Sequence, residues 1–146
     1  MRPILKSCEK NVIFKCLNKL ANKFCKNKLT SKNLDVGVYK VNCLNCEKSY
    51  INETGPSLKT RKREHKNDIK NKISSGIVFH INKTDHDFDF DNAAIIFPNS
   101  NISKRHIVES SIINKHKLNC VNLNNGFVSL ESNVSNFVCE LLKLDT

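Results

Sequence analysis

Val36-Gly37-Val38-Tyr39-Lys40-Val41-Asn42-Cys43-Leu44-Asn45-Cys46-Glu47-Lys48-Ser49-Tyr50-Ile51-Asn52 is the stretch that decides the fold. Val36, Val38 and Val41 alternate with Gly37, Tyr39 and Lys40, a period that suits a half-buried strand. Residues 49–52 read as a partner strand, and the loop between them is short enough to force antiparallel pairing. The tip of this hairpin carries Cys43 and Cys46. Two thiolates two residues apart can reach one tetrahedral zinc ion, the usual half-site of a structural metal motif.

Downstream, Thr54-Gly55-Pro56 ends the second strand and Ser57 supplies an N-cap. The segment from there to about residue 73 is charged but places Leu58, Arg61, His65 and Ile69 on one helical face. A short helix or turn is expected over residues 76–83, and an exposed or edge strand over the acidic, aromatic run 85–91. A buried-type strand is expected over 93–97, a turn over 98–101, and a helix over 103–116 presenting Ile107, Val108, Ile112 and Ile113. The remainder reads as short, irregular or strand-like. Upstream, Ile13, Leu17, Leu20 and Phe24 recur at helical spacing among Lys15, Lys19, Lys23 and Lys26, so residues 10–26 form a basic amphipathic helix. It serves either as an accessory helix packed on the domain or a neighbour, as a DNA-contacting arm, or as a transit peptide poor in Ser and Arg. The organisation expected is a basic helical extension and linker over 1–35, one domain over 36–130 and a C-terminal tail over 131–146.

The chain has 146 residues, room for one domain with a modest core. Its 24 Lys and Arg against 14 Asp and Glu give a net charge of +10, which points to a polyanionic partner and above all nucleic acid. Part of that excess reflects the general richness in Asn and Lys. Seven cysteines, an odd number, argue against a secreted disulfide scaffold and for a reducing, intracellular setting. No apolar run approaches the roughly 18 residues that span a bilayer, so no membrane partner is expected.

Three groups of residues carry chemistry. His80 and His86, a His-x5-His pair, are the best second half-site for Cys43 and Cys46, so that zinc clamps the hairpin to a distant segment. The competing reading takes the histidines as surface residues and the cysteines as incidental. Arg61 and His65, four residues apart, suit phosphate chemistry, the guanidinium gripping an anion and the imidazole moving a proton. Within Lys59-Thr60-Arg61-Lys62-Arg63, a solvated basic face is the alternative. Glu109 is a lone acid on an otherwise apolar and small-residue helix. One carboxylate with waters and substrate oxygens is a common way to hold magnesium in phosphodiester chemistry; an ion pair with Arg105 is the other option.

Taken in order, Gly37-Val38-Tyr39, Tyr50-Ile51-Asn52, Thr54-Gly55, Leu58, Arg61 and Glu64-His65 resemble the opening of GIY-YIG nucleases. The cysteine-bearing hairpin with His80 and His86 resembles more particularly the endonuclease domain of Penelope-like retroelements. Asp91-Asn92-Ala93, Arg105 with Glu109, and the stretch 122–126 also fall where that family has similar residues. Asn52 stands where the family has the glycine of its second triplet, and Pro56 where it often has a basic residue.

This resemblance implies an α+β domain, a small antiparallel sheet flanked by helices, that nicks DNA by metal-dependent phosphodiester hydrolysis. It implies that Tyr39 helps activate water, Tyr50 lines the same pocket, Arg61 stabilises phosphoryl charge and His65 handles protons. Glu109 holds a single magnesium or manganese ion, and Asn122 matches the family's late polar residue. Structural zinc sits on Cys43, Cys46, His80 and His86. DNA is the partner, a reverse-transcriptase region accompanies the domain in an intact element, and the nucleus is the expected location. A catalytically inactive, zinc-stabilised DNA-binding remnant of such a domain is the runner-up, and a basic interaction module working through residues 10–26 is a third reading.

Overall fold

The computed structural model describes residues 35–144; the helix expected over residues 10–26 lies outside them. Among the described residues, three strands and four helices follow in the order β1 (Gly37–Asn42), β2 (Ser49–Thr54), α1 (Leu58–Lys70), α2 (Gly76–Thr84), β3 (Ala94–Pro98), α3 (Ile102–Lys115) and α4 (Ser132–Leu141). The strands form one antiparallel sheet in the order β2-β1-β3. This is the expected α+β class with a small antiparallel sheet, and no described helix is long and apolar enough to cross a membrane.

The hairpin register, Tyr39 opposite Asn52 and Val41 opposite Tyr50, puts these four side chains on one face of the sheet. That face buries Tyr39, Val41 and Tyr50 with Ile77, Phe88 and Phe90. The other face, with Val38 and Ile51, packs on Val108, Ile112 and Ile113 of α3 and on Val138 and Cys139 of α4. A three-stranded sheet thus separates two small cores, each too thin to stand alone. Gly37 is required by close approach: a Cβ there would lie 2.2 Å from the Phe97 carbonyl oxygen of β3.

Three of the four helices start where a side-chain oxygen receives an orphan amide, α4 being the exception. Ser57 accepts from Thr60 N at α1, Ser75 from Val78 N at α2, and Asn101 from Lys104 N at α3. The α2 segment ends at Asp85, whose left-handed backbone (φ 57°) turns the chain sharply back.

Three expectations need correction. Residues 85–91 form no strand: Phe88 bridges to Cys43 at one position, while Phe88 and Phe90 are buried and Asp87 and Asp91 exposed. The alternation is real, but the segment's pairing with the hairpin tip is limited to that single antiparallel bridge. β3 is an edge strand with Ala94 exposed and Ile95–Phe97 half-buried, because a short apolar run reads alike at the centre and the edge of a sheet. The C-terminal segment is no irregular tail, since α4 packs on α3 and buries Ser135, Val138 and Cys139.

Candidate active site and metal centre

The metal group is assembled from the two pieces that the sequence separates. β1 runs directly into Cys43, and the tight turn to β2 presents Cys46. α2 carries His80, and the reversal at Asp85 returns His86 to the same spot. Backbone bonds fix this contact: Leu44 N donates to Asp87 O at 2.8 Å and Asp89 N to Asn42 O at 2.9 Å. Asp87 N adds a bond to Asn45 Oδ1 at 3.0 Å.

Cys43 Sγ lies 3.6 Å from His80 Nε2 and 3.6 Å from His86 Nδ1, and Cys46 Sγ lies 3.6 Å from His80 Nε2. All four donor atoms are within 4.8 Å of one another. A tetrahedron with Zn–S of about 2.3 Å and Zn–N of about 2.1 Å has S···N edges of about 3.6 Å. Donor types and spacing therefore fit a metal such as zinc. Burial, aided by His86 and the cations of Lys48 and Lys83, lowers the pKa of His80 and favours the neutral ring that a metal requires.

The second group lies on the Tyr39 face, against α1. Tyr39 Oη and His65 Nε2 are 2.6 Å apart, with both residues buried. The Tyr50 ring meets His65 edge-on with centroids 5.3 Å apart, and Phe90 stacks on it at 6.1 Å. His65 Nδ1 has no hydrogen-bond partner, its nearest carboxylate being Asp68 at 4.0 Å. Burial, reinforced by the Arg61 cation, pushes the His65 pKa down to about 4. Burial likewise raises both tyrosines, so phenol and imidazole are neutral at rest. Arg61 sits one turn before His65, where its charge acts on Tyr39, and pairs with Glu64 at 2.7 Å.

A polar cleft of about 380 Å³ opens beside this cluster, lined by Tyr50, Asn52, Glu53, Glu109 and Asn122. It lies on the outer edge of β2, where the sheet is closed by the segment after α3. Ser49 N donates to Asn119 O at 2.8 Å and Val121 N to Ser49 O at 2.9 Å. Asn122 then completes the edge with its side chain, Oδ1 accepting from Ile51 N at 3.1 Å and Nδ2 donating to Ile51 O at 2.6 Å. The late polar residue thus docks to the hairpin backbone as a surrogate strand.

Glu109 reaches the cleft from α3, although only 7% of its surface is exposed. Burial, with the Glu53 carboxylate nearby, pushes its pKa up to about 7 against a smaller pull from Arg61. A desolvated carboxylate in a polar cleft, with tyrosine and amide oxygens beside it, suits an oxygen-seeking divalent cation. The alternative pairing of Glu109 with Arg105 does not form. Arg105 instead binds Glu53 at 2.7 Å and the Asn99 and Ser100 carbonyls, which leaves Glu109 to the cleft.

Of the six residues proposed for catalysis, Tyr50, Glu109 and Asn122 line the cleft, while Tyr39 and His65 form the buried pair behind Tyr50. Arg61 does not line the cleft; its charge acts on Tyr39, Tyr50 and Glu109, lowering the pKa of each against the rise caused by burial. Sequence reasoning missed Glu53, His106 and Phe127, which also line the cleft. Glu53 was legible as the one acidic residue of its strand, next to Asn52; Phe127 was not, because its place depends on a loop. Asn52, at the glycine position of the second triplet, has an ordinary negative φ. Its amide donates to Tyr50 Oη at 2.8 Å, and its Oδ1 accepts from Glu53 N at 2.8 Å. No protein-family model, curated protein or solved structure matches this chain.

Proposed function

We propose that this chain is a metal-dependent DNA endonuclease domain of GIY-YIG type, derived from a Penelope-like retroelement, that nicks one strand by phosphodiester hydrolysis. The observation that carries the proposal is the buried Tyr39–His65 pair packed behind Tyr50, which itself lines the polar cleft that holds the carboxylate of Glu109. The basic charge of the chain supports DNA as partner, and genomic DNA as substrate implies the nucleus. In an intact element a reverse-transcriptase region would accompany it.

Glu109, with water and substrate oxygens, would hold magnesium or manganese, which supplies Lewis-acid polarisation of the phosphodiester when bound. Tyr39 orients the attacking water. As the water oxygen bonds to phosphorus, its proton passes to Tyr39 Oη and the phenolic proton passes to His65 Nε2. This requires the tautomer with hydrogen on Nδ1, which Asp68 at 4.0 Å favours while also stabilising the transient imidazolium. Arg61 neutralises charge that accumulates on the phosphoryl oxygens. The bond to the leaving oxygen breaks, and that oxygen takes a proton from solvent. Cys43, Cys46, His80 and His86 would hold a structural zinc ion, which when bound would tie the hairpin to α2.

One observation favours a second reading, an inactive DNA-binding remnant. The Asn52 side chain occupies part of the cleft and engages the Tyr50 hydroxyl. Incubation of supercoiled plasmid with the zinc-loaded chain and magnesium separates the two. Nicking that disappears in Glu109→Ala supports the enzyme; binding without nicking, with cleavage gained in Asn52→Gly, supports the remnant.

A further inference from the structure

The rim of the cleft carries an exposed aromatic platform that catalysis does not use. Phe127 is 75% exposed, yet its ring stacks on His106 with centroids 4.0 Å apart and planes 25° from parallel. Both residues line the same cleft as Glu109.

The loop bearing Phe127 is held in place. Gly126 adopts φ +89°, and a Cβ there would lie 2.5 Å from Ser110 Oγ, so only glycine lets the loop press against α3. Ser110 Oγ also accepts from Val128 N at 2.9 Å, fixing the residue after the platform as well. Beneath it, His106 Nε2 lies 3.9 Å from Glu53, whose other oxygen is held by Arg105. The upper ring is therefore pre-organised, with its outer face open beside the carboxylate proposed to bind the catalytic ion.

We propose that the Phe127–His106 stack is a nucleobase platform, and that the substrate at this cleft is DNA with an unstacked or unpaired base next to the attacked phosphate. A base in an intact duplex has both faces covered by its neighbours. A ring presented singly can gain stacking only from a base released from the helix, and such stacking tolerates any base identity. This inference rests on the nuclease reading for its substrate class and deepens it.

The chain contains no tryptophan, so Phe127→Trp places a single reporter at the platform. With that full-length variant, titration of a single-stranded 12-nucleotide DNA should quench the indole emission, whereas a blunt duplex of the same sequence should not. Fluorescence anisotropy of labelled single strand should show affinity falling about ten-fold in Phe127→Ala and persisting in Phe127→Trp. Duplex carrying a short unpaired bubble should be nicked faster than fully paired duplex, a preference lost in Phe127→Ala. If the chain nicks plasmid while Phe127→Trp shows no quenching and Phe127→Ala binds single strand normally, the platform is refuted and the nuclease stands. Equal quenching by blunt duplex also overturns it. Selective quenching by single strand without any nicking keeps the platform and removes the nuclease.

Discussion

The Tyr39 hydroxyl and His65 Nε2 meet at 2.6 Å across 26 residues of chain, one from the middle strand and one from the middle of α1. Both side chains are almost fully buried. A polar pair placed under an aromatic lid in a small core costs desolvation that two apolar side chains would avoid. Its retention beside Arg61 and the cleft supports a chemical role.

Tyr39→Phe isolates that role. The ring still fills its site, but His65 Nε2 loses its partner, costing about 1–3 kcal/mol of stability. Nicking should fall by roughly two orders of magnitude or more, the typical contribution of a positioned proton-transfer group. Denaturant melts and initial nicking rates measured together check both; unchanged cleavage would remove Tyr39 from the mechanism.

Glu109 and His65 predict opposing pH dependences. Glu109 has its folded pKa raised to about 7, so the stability it contributes is complete below its ordinary value near 4.5 and lost as pH rises through 7. His65 has its folded pKa lowered to about 4, so its contribution is complete above about 6.5 and lost as pH falls toward 4. The two slopes largely cancel between pH 4.5 and 6.5. In Glu109→Gln, stability should rise with pH across that window, and at pH 8 without divalent metal it should exceed the parent by up to about 3 kcal/mol. Nicking should vanish in the same variant. Loss of activity with a gain in stability separates a functional acid from a structural one.

The Cys43, Cys46, His80 and His86 group should bind about one equivalent of zinc. Chelation or Cys46→Ser should remove it and release the segment that meets the hairpin tip. The expected loss is about 3 kcal/mol, or roughly 10 °C in Tm for a domain of this size. Elemental analysis beside thermal melts tests this, and a melt insensitive to chelation would exclude a structural metal.

Glu53→Ala should destabilise strongly, by about 3–5 kcal/mol, because it leaves the buried Arg105 guanidinium without its carboxylate. The double variant Glu53→Ala with Arg105→Leu should recover a large part of that loss, as no charge is then stranded. Chemical denaturation of the two single variants and the double variant provides the coupling energy. Additive effects would show that Arg105 is satisfied by the Asn99 and Ser100 carbonyls alone.

What the sequence determined was local. Alternation and the two-cysteine tip specified the β1–β2 hairpin, because its partners are adjacent and its register follows from the turn. Ser57 and the spacing of Arg61 with His65 specified α1 and its inward face, and the residue types of Cys43, Cys46, His80 and His86 specified a metal-ligand set.

Tertiary structure decided whatever depends on which distant segment arrives at a surface. An apolar pentapeptide could not reveal that β3 lies at an edge, nor an Asp-Phe alternation that it would meet the hairpin tip at a single bridge. Helix spacing alone could not choose between Arg105 and cleft solvent for Glu109; the choice came from Glu53, presented by β2 to the same guanidinium. Asn122 gained its place by pairing with the Ile51 backbone, and Phe127 by the contact of Gly126 with Ser110. These are long-range contacts whose energy exists only after the sheet has formed, so no window of the sequence contains them.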